Sequence, residues 1–179
     1  MMKKLKAPFN LMQWVDENRD LLKPPVGNKN IYKHESDDFI VMVVGGPNAR
    51  NDYHYNETDE FFYQLEGNIQ IALQVDGEKQ VVDLQAGDVF LVPAGIPHSP
   101  VRSAGSVGLV VEIKNKEGKK DGLLWFCNHC NHQLHEVYFT LQDIEKDFLK
   151  HFRDFYHSET LRTCASCGEI MPTDERYVQ

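Results

Sequence analysis

The spacing of apolar residues predicts that most of this chain is built from β-strands. From Ile31 to about Lys114, apolar residues recur at every second position and turn signals follow every eight to twelve residues. Ile69 to Val75 alternates in this way, and Asp76-Gly77 then supplies a hairpin turn before a return strand around Val81–Leu84. A period of two with regular turns is typical of antiparallel sheets, so we expect a mainly β sandwich or barrel.

Two further segments have the spacing of helices. Asn10 precedes an apolar stripe that ends before Pro24-Pro25, so we expect a helix over about 11–22, with Gln13 placed for a capping box. Near the other end, Thr140 precedes a second stripe and is expected to cap its helix. Both stripes are expected to be packing surfaces. Their residues are Leu11, Trp14, Val15 and Leu22 in the first, and Leu141, Ile144, Phe148, Phe152 and Phe155 in the second.

A polar, glycine-containing stretch from Asn115 to Gly122 reads as a linker or turn. Beyond it, 123–126 and 134–139 have the character of two strands of a small hairpin. We therefore expect a barrel with an N-terminal helix over 1–114, and a C-terminal extension with a helix and a cysteine-rich metal site over 115–179.

Composition and charge narrow the classes of function. The 179 residues are 41% hydrophobic, 26% charged and 11% aromatic, and the formal net charge is −8. This acidic balance argues against a nucleic-acid partner, because phosphate binding needs a basic face. The basic stretch Met1 to Lys6 lacks the apolar run of a signal peptide, and no segment is long enough to span a bilayer, so we expect a cytosolic protein.

Two histidines and a glutamate have the spacing of a metal site. His54 and Glu60 are six residues apart, an even separation that places both on one face of a single extended strand. His98 follows the turn Pro93 to Pro97, whose prolines and glycine fix the backbone. Two imidazoles and one carboxylate can hold one face of a six-coordinate ion and leave three adjacent positions for substrate and dioxygen. This arrangement favours iron, although zinc and manganese also suit the ligand types.

Charged residues near these ligands suggest a substrate clamp. Arg50 lies four residues before His54, and Arg102 lies four residues after His98. The planar guanidinium suits bidentate recognition of a carboxylate. Glu112 stands in an apolar run, where an unpaired carboxylate is costly, so we expect either a nearby arginine or a substrate donor as its partner.

Four cysteines form two C-x-x-C pairs, which are Cys127 with Cys130 and Cys164 with Cys167. Such pairs suit a tetrahedral four-thiolate iron or zinc ion better than a disulfide framework. A redox pairing of the cysteines is the alternative. We expect a structural site that attaches the last helix to the barrel, with His129, His132 and His135 as bystanders.

The motifs resemble those of known families. The segments His54 to Gly67 and Gly87 to His98 resemble the two motifs of the cupin family, a double-stranded β-helix of the jelly-roll type, with Asn56 where a further histidine is usual. The runs Arg50 to Glu60 and Pro93 to Arg102, together with Glu112 and the cysteine pairs, resemble the 3-hydroxyanthranilate 3,4-dioxygenase family of the bacterial and fungal type.

That resemblance implies a ring-cleaving Fe(II) enzyme and a set of roles. The substrates would be 3-hydroxyanthranilate and O2, and the product, 2-amino-3-carboxymuconate semialdehyde, closes to quinolinate on the kynurenine route to NAD. A homodimer and a second iron or zinc at the cysteines are also implied. Iron would be held by His54, Glu60 and His98, the substrate would be bound and turned over by Arg50, Arg102 and Glu112, and Asp52 would help to shape the site.

Three alternatives stay open at this point. A cupin that binds a small carboxylate without converting it would also explain two arginines beside the metal ligands. A dioxygenase for a related 2-aminophenol would need the same ligands. A zinc cupin isomerase acting on a sugar phosphate typically has more protein ligands than this chain offers.

Overall fold

The computed structural model describes residues 5–24, 27–48, 50–114, 118–140 and 144–178, without the side chains of 144–147. The helical elements are α1 (Leu11–Glu17), a 3₁₀ turn (Arg19–Leu22), α2 (Ile144–His157) and α3 (Glu159–Arg162). The strands are β1 (Asn28–Asn30), β2 (Phe39–Gly45), β3 (Asp52–Asn56), β4 (Glu60–Glu66), β5 (Ile69–Val75), β6 (Glu78–Leu84), β7 (Val89–Val92), β8 (His98–Arg102), β9 (Val107–Ile113), β10 (Asp121–Phe126) and β11 (Gln133–Phe139).

The strands form two antiparallel sheets that pack face to face. One sheet has the order β1-β2-β9-β4-β7, and the other has the order β11-β10-β3-β8-β5-β6. Phe62 and Val110 from the first sheet share one apolar cluster with Ile71 and Leu73 from the second. The alternation of apolar residues puts these side chains between the sheets. The predicted mainly β, jelly-roll barrel is therefore confirmed.

The hairpin between β5 and β6 has the predicted turn. Asp76 and Gly77 both have positive φ, at 51° and 83°, which is the backbone that a two-residue hairpin loop requires. Ile69 pairs with Leu84 and Val75 pairs with Glu78, so the register is continuous along both strands. This hairpin forms one edge of the six-stranded sheet.

The first helix is shorter than predicted. α1 ends at Glu17, and Asn18 leaves the helical conformation (φ −121°, ψ 18°) before the 3₁₀ turn begins. The predicted cap is present, because the Asn10 side chain accepts a hydrogen bond from the Gln13 amide at 2.9 Å. The capping box is incomplete, since the Gln13 side chain donates to Glu17 instead. The predicted stop was Pro24-Pro25: the 3₁₀ turn ends at Leu22, two residues before Pro24, and Pro25 lies outside the described residues.

The predicted hairpin in the C-terminal extension is confirmed, and it also extends the barrel. β10 pairs with β11 on one side and with β3 on the other. β10 begins at Asp121, so the end of the predicted linker is a strand, while residues 115–117 lie outside the described residues. The division at residue 114 stays a prediction.

The aromatic stripe of α2 packs against this added hairpin. Phe155 stacks on Trp125 of β10 with ring centroids 4.3 Å apart, and Phe152 meets the same ring edge-on at 6.2 Å. These contacts confirm the predicted packing surface for the described part of the stripe. Leu141 and the helix start expected after Thr140 fall outside the described residues. No helix in the described part of the chain is long and apolar enough to cross a membrane.

Candidate active site

Three strands bring His54, Glu60 and His98 together inside the barrel. His54 on β3 lies directly opposite His98 on β8 in the six-stranded sheet. Glu60 is the first residue of β4 in the five-stranded sheet. The expectation that His54 and Glu60 share one strand is therefore wrong, because the chain turns at 57–59 and crosses to the other sheet. Their side chains still converge, since the two sheets face each other.

The three side chains have the separation of metal ligands. One ligand atom from each lies within 4.8 Å of the others, and all three residues are buried. Glu60 Oε2 is 2.7 Å from His98 Nε2 and 3.8 Å from His54 Nδ1. Neighbouring ligands on an octahedral ion with bonds of about 2.1 Å are about 3 Å apart. The described side chains thus fit a divalent cation with little rearrangement.

Each imidazole makes a hydrogen bond on the nitrogen that faces away from Glu60. His98 Nδ1 is 3.0 Å from the carbonyl oxygen of Ile96, which leaves Nε2 toward the glutamate. His54 Nε2 is 3.0 Å from Asp121 Oδ1, which leaves Nδ1 toward the glutamate. Such outer hydrogen bonds select the tautomer of a metal-binding histidine.

The charges of the site favour a cation. Burial alone would raise the pKa of Glu60, but the His98 and His54 imidazoles outweigh it and hold that pKa below the ordinary value. Burial likewise works against a charged His98, yet the Glu60 carboxylate raises the pKa of its imidazole. Glu112 and Asp121 add two further buried carboxylates. A divalent ion would favour the ionised forms of these carboxyl groups.

Asn56 does not take the place of a fourth ligand. Its side-chain oxygen accepts hydrogen bonds from the backbone amide and the hydroxyl of Thr58, at 3.0 Å and 2.8 Å. Its amide nitrogen donates to Glu112 Oε2 at 3.4 Å. Both ends of the side chain are therefore engaged, which leaves a set of two histidines and one carboxylate.

Arg102 is buried in the barrel without an acidic partner among the described residues. The residue is 3% exposed, and its Nη1 atom has no hydrogen-bond partner in the described part of the chain. Burial lowers the pKa of its guanidinium to about 10, with the charge of Glu60 acting in the opposite direction and that of Arg50 in the same one. A buried, unneutralised guanidinium is costly, so this side chain is suited to an anionic ligand.

Arg50 has a different environment from Arg102. Its Nη2 and Nε atoms donate to the carboxylate of Asp52, and its side chain is 25% exposed. Burial opposes the charged form of Arg50, but Asp52 raises the pKa of the guanidinium above its ordinary value. Because Asp52 already occupies two of its donors, Arg50 has fewer left for a ligand than Arg102.

Glu112 lies on β9 directly across from Glu60 on β4. Burial, followed by the nearby charges of Glu60 and Asp121, raises the pKa of Glu112 well above the ordinary glutamate value. Its Oε1 atom has no partner within the described residues, and the Asn56 amide is its hydrogen-bond donor there. An arginine was one of the two partners expected for Glu112, and the described residues supply an amide instead.

Two functional features were not anticipated from the sequence. Asp121 fell in the predicted linker, and only its pairing with β3 brings it to His54. Gly108 on β9 was given no role from the sequence, yet a Cβ there would lie 2.8 Å from Arg102 Nη1 and 2.9 Å from Gln64 Oε1. A glycine inside a strand is a signal for such a close approach, whereas Asp121 has no comparable local signal.

The four cysteines form a second candidate metal centre. Sγ of Cys127 is 3.6 Å from Sγ of Cys167, and Sγ of Cys130 is 3.6 Å from Sγ of Cys164. A disulfide needs about 2.05 Å, whereas thiolates on a tetrahedral ion with bonds of about 2.3 Å lie about 3.8 Å apart. All four ligand atoms lie within 4.8 Å of one another, so the set fits one ion.

The two knuckles share one backbone geometry despite their different sequences. Gly168 and Asn131 follow the second cysteine of each pair, with φ of 77° and 59°. Their amides donate to the carbonyl oxygens of Cys164 and Cys127, at 2.9 Å and 3.0 Å. Asn131 thus adopts the left-handed conformation that glycine usually supplies.

A separate cavity of about 460 Å³ lies beside the first knuckle, and neither His54 nor His98 is among its lining residues. Its lining includes Tyr53, Lys79 and Ser99, as well as Cys130. Arg50 also lines it, and the charge of this arginine is one of the causes that lower the pKa of Glu60.

Two facing antiparallel sheets around a group of two histidines and one glutamate define a cupin-type barrel with a candidate metal site. Residues 2–156 match the family described as 3-hydroxyanthranilic acid dioxygenase, and the chain belongs to that family. The resemblance drawn from the motifs is confirmed.

Two bacterial relatives of similar length agree with this assignment. A 3-hydroxyanthranilate 3,4-dioxygenase of Xanthomonas euvesicatoria pv. vesicatoria is 52% identical over 173 residues, which cover 97% of each chain. The enzyme of that name from Bacillus thuringiensis is 44% identical over 174 residues, covering 97% of this chain and 96% of the relative. A solved cupin-2 domain protein from Shewanella frigidimarina aligns with 54% of this chain and 88% of its own, at 25% identity and a TM-score of 0.43.

Proposed function

We propose that this chain is an Fe(II)-dependent dioxygenase that opens the ring of 3-hydroxyanthranilate. The observation that carries the proposal is the convergence of His54, Glu60 and His98 inside the barrel of a chain that belongs to this family. Because the Asn56 side chain is bonded to Glu112 and Thr58, these three ligands leave coordination positions on an ion free for two reactants.

We assign the iron to His54, Glu60 and His98. Ferrous ion at such a site would supply a Lewis acid for a hydroxyl and an amine on adjacent carbons, and a path by which the electrons of the substrate reach dioxygen. The protein's own contribution is a buried, preorganised ligand set whose outer nitrogens are already hydrogen-bonded.

Arg102 would bind the carboxylate of the substrate. Its guanidinium is buried and lacks an acidic partner among the described residues, so a bound carboxylate would neutralise it. A two-pronged contact of this kind orients the aromatic ring, which determines the bond that is cleaved. Arg50 would hold the same carboxylate through the donors that Asp52 leaves free, and Asp52 would shape the site by fixing this arginine.

Glu112 would receive the hydrogen bond or the proton of the substrate's amine. Oε1 of this carboxylate has no partner within the described residues. Its raised pKa makes the ionised form a stronger base than an ordinary glutamate. Arg102 and Glu112 together therefore match a substrate that carries both a carboxylate and an amine.

Oxygen consumption tests the proposal directly. Protein reconstituted with Fe(II) under anaerobic conditions is expected to consume about one O2 per 3-hydroxyanthranilate, and product formation is followed by absorbance. Glu60→Ala should lose its iron and all activity, because one of three ligands is missing. Full activity in iron-free Glu60→Ala protein would contradict the assignment.

Arg102→Ala should mainly weaken substrate binding. Losing a charge-assisted hydrogen bond costs about 1.5–3 kcal/mol, which corresponds to a rise in KM of about 10- to 100-fold. Arg102→Lys keeps the charge but not the planar, two-donor guanidinium, so its KM should lie between those of Arg102→Ala and wild type. An unchanged KM in Arg102→Ala would exclude it as the carboxylate anchor.

The same assay separates the alternatives. A cupin that only binds the carboxylate would show substrate binding by calorimetry without O2 uptake. Preference for a different 2-aminophenol would appear as a higher kcat/KM for that compound in a substrate panel. A zinc isomerase would purify with zinc at the histidines and would show no O2 uptake with any 2-aminophenol.

For the four cysteines we propose a structural iron or zinc ion. The Sγ separations of 3.6 Å support a tetrahedral thiolate site. Metal analysis of purified protein, compared with a Cys164→Ser variant, identifies the ion. Such thiolates need a reducing compartment, so we propose a cytosolic enzyme, to be tested by cell fractionation.

We also propose a homodimer, because the family resemblance implies one, and sedimentation equilibrium would measure its mass.

A further inference from the structure

We propose that Asp121 is a positioning residue that sets the tautomer and orientation of His54, so that His54 binds metal through Nδ1. The inference rests on the proposed function and adds to it a residue from beyond the predicted barrel. It also distinguishes the two histidines, since His98 would bind through Nε2.

The register of the strands places Asp121 beside His54. On β10, Leu123 pairs with His54 and Asp121 pairs with Asn56. Paired residues share one face of a sheet, so Asp121 is the diagonal neighbour of His54 on the interior face. The imidazole bridges the diagonal, and its Nε2 lies 3.0 Å from Asp121 Oδ1.

Both partners are removed from solvent. Asp121 is 2% exposed and His54 is 6% exposed. A carboxylate can only accept at this position, so the Nε2 atom of His54 carries the proton and donates it. The Nδ1 lone pair is then free, and it faces Glu60 Oε2 at 3.8 Å.

Asp121 acts through His54 and is not itself placed as a ligand. Its Oδ1 contacts the imidazole nitrogen that points away from Glu60, and the group of converging ligand atoms consists of His54, Glu60 and His98. A carboxylate behind a ligating imidazole holds the ring and increases its donor strength. At His98 the neutral carbonyl oxygen of Ile96 accepts the corresponding hydrogen bond. One histidine is therefore held by a carboxylate and the other by an uncharged group.

Graded substitutions of Asp121 test the inference by metal binding. Asp121→Ala removes the acceptor and the charge, and Asp121→Asn keeps an oxygen acceptor without the charge. Asp83→Asn is the matched control, because it removes one carboxylate from an exposed position of β6. Mn(II) is the probe, since it prefers nitrogen and oxygen ligands over thiolates. Its free concentration is read from the EPR signal during titration.

Asp121→Ala should lower the Mn(II) affinity about 10- to 100-fold. Asp121→Asn should show a smaller loss and an altered EPR spectrum of the bound ion at an unchanged Tm, whereas Asp83→Asn should match wild type. A general structural role would lower Tm without the graded change in the spectrum. If Asp121→Asn binds Mn(II) with the affinity and spectrum of Asp83→Asn, the inference is wrong.

Failure of the inference and failure of the proposed function give different results. An active wild type whose Asp121 variants bind Mn(II) normally would overturn the inference alone. A wild type that binds Mn(II) with the expected dependence on Asp121, yet consumes no O2 with 3-hydroxyanthranilate, would support the inference and overturn the proposed substrate.

Discussion

At the scale of single residues, the two histidines are predicted to differ in the nitrogen that binds metal. The asparagine side chain ends near the place of histidine Nδ1, and the glutamine side chain ends near that of Nε2. His54→Asn should therefore bind Mn(II) about tenfold more tightly than His54→Gln, a difference of about 1.4 kcal/mol. The order should reverse at His98, where Nδ1 is hydrogen-bonded to Ile96.

Titration of the four variants by EPR provides the measurement, and each histidine serves as the control for the other. The same preferred substitution at both positions would contradict the different orientations of His54 and His98. Variants that all fold but bind equally weakly would show that neither replacement reaches the ion.

The sequence patterns identified the side chains that converge as candidate metal ligands. They were less successful in predicting which residues those and neighbouring side chains contact. The spacing of His54, Glu60 and His98, with the glycines and prolines around them, was enough to nominate a group that does converge. The amide partner of Glu112 and the role of Gly108 depend on which residues lie opposite each other across strands. Local spacing indicates which face of a strand each residue takes, but it does not identify the residue that lies opposite on a strand far along the chain.

At the scale of elements, β10 begins with residues whose sequence is typical of a turn and not of a strand. Asp121 and Gly122 follow two lysines and resemble a turn, yet both lie in a buried strand between β3 and β11. Local propensity failed because pairing with β3, more than sixty residues earlier in the chain, decides the conformation. Elements with a strong period of their own, such as the hairpin of β5 and β6, were predictable without such contacts.

The position of β10 predicts that residues 1–114 alone do not form a stable barrel. This fragment lacks β10, so the edge of β3 loses its partner, and Asp121 is lost from His54. We expect an aggregated or largely unfolded product with Mn(II) affinity reduced at least about 100-fold. Circular dichroism, gel filtration and Mn(II) titration measure these properties against the full chain. A folded fragment with full affinity would instead support an independent domain that ends at residue 114.

At the scale of the whole molecule, the four-cysteine site and the histidine site are joined by packing. Asn131 of the first knuckle exchanges two side-chain hydrogen bonds with Gln74 of β5, at 2.8 Å and 2.9 Å. The second knuckle follows α2 and α3. On α2, the Phe148 ring lies 5.4 Å from that of His54. An ion at the cysteines would therefore hold the helix that covers one metal ligand.

We predict that Cys164→Ser weakens this connection before it affects the chemistry. Loss of one thiolate should release the ion from the cysteines and lower Tm by about 10 °C, because a structural ion contributes its binding energy to folding. Ser166→Ala, at an exposed position of the same knuckle, is the control and should leave Tm unchanged. Calorimetry and metal analysis of both variants provide the measurement.

Catalysis by Cys164→Ser then distinguishes a structural site from a redox site. A structural ion predicts that kcat per bound active-site iron is retained at temperatures where the variant remains folded, since the electrons for ring cleavage come from the substrate. KM is the more sensitive quantity, because looser packing of Phe148 on His54 would disturb the substrate pocket. A variant with wild-type stability and a full iron content that fails to turn over would require the cysteine ion to exchange electrons with the active site.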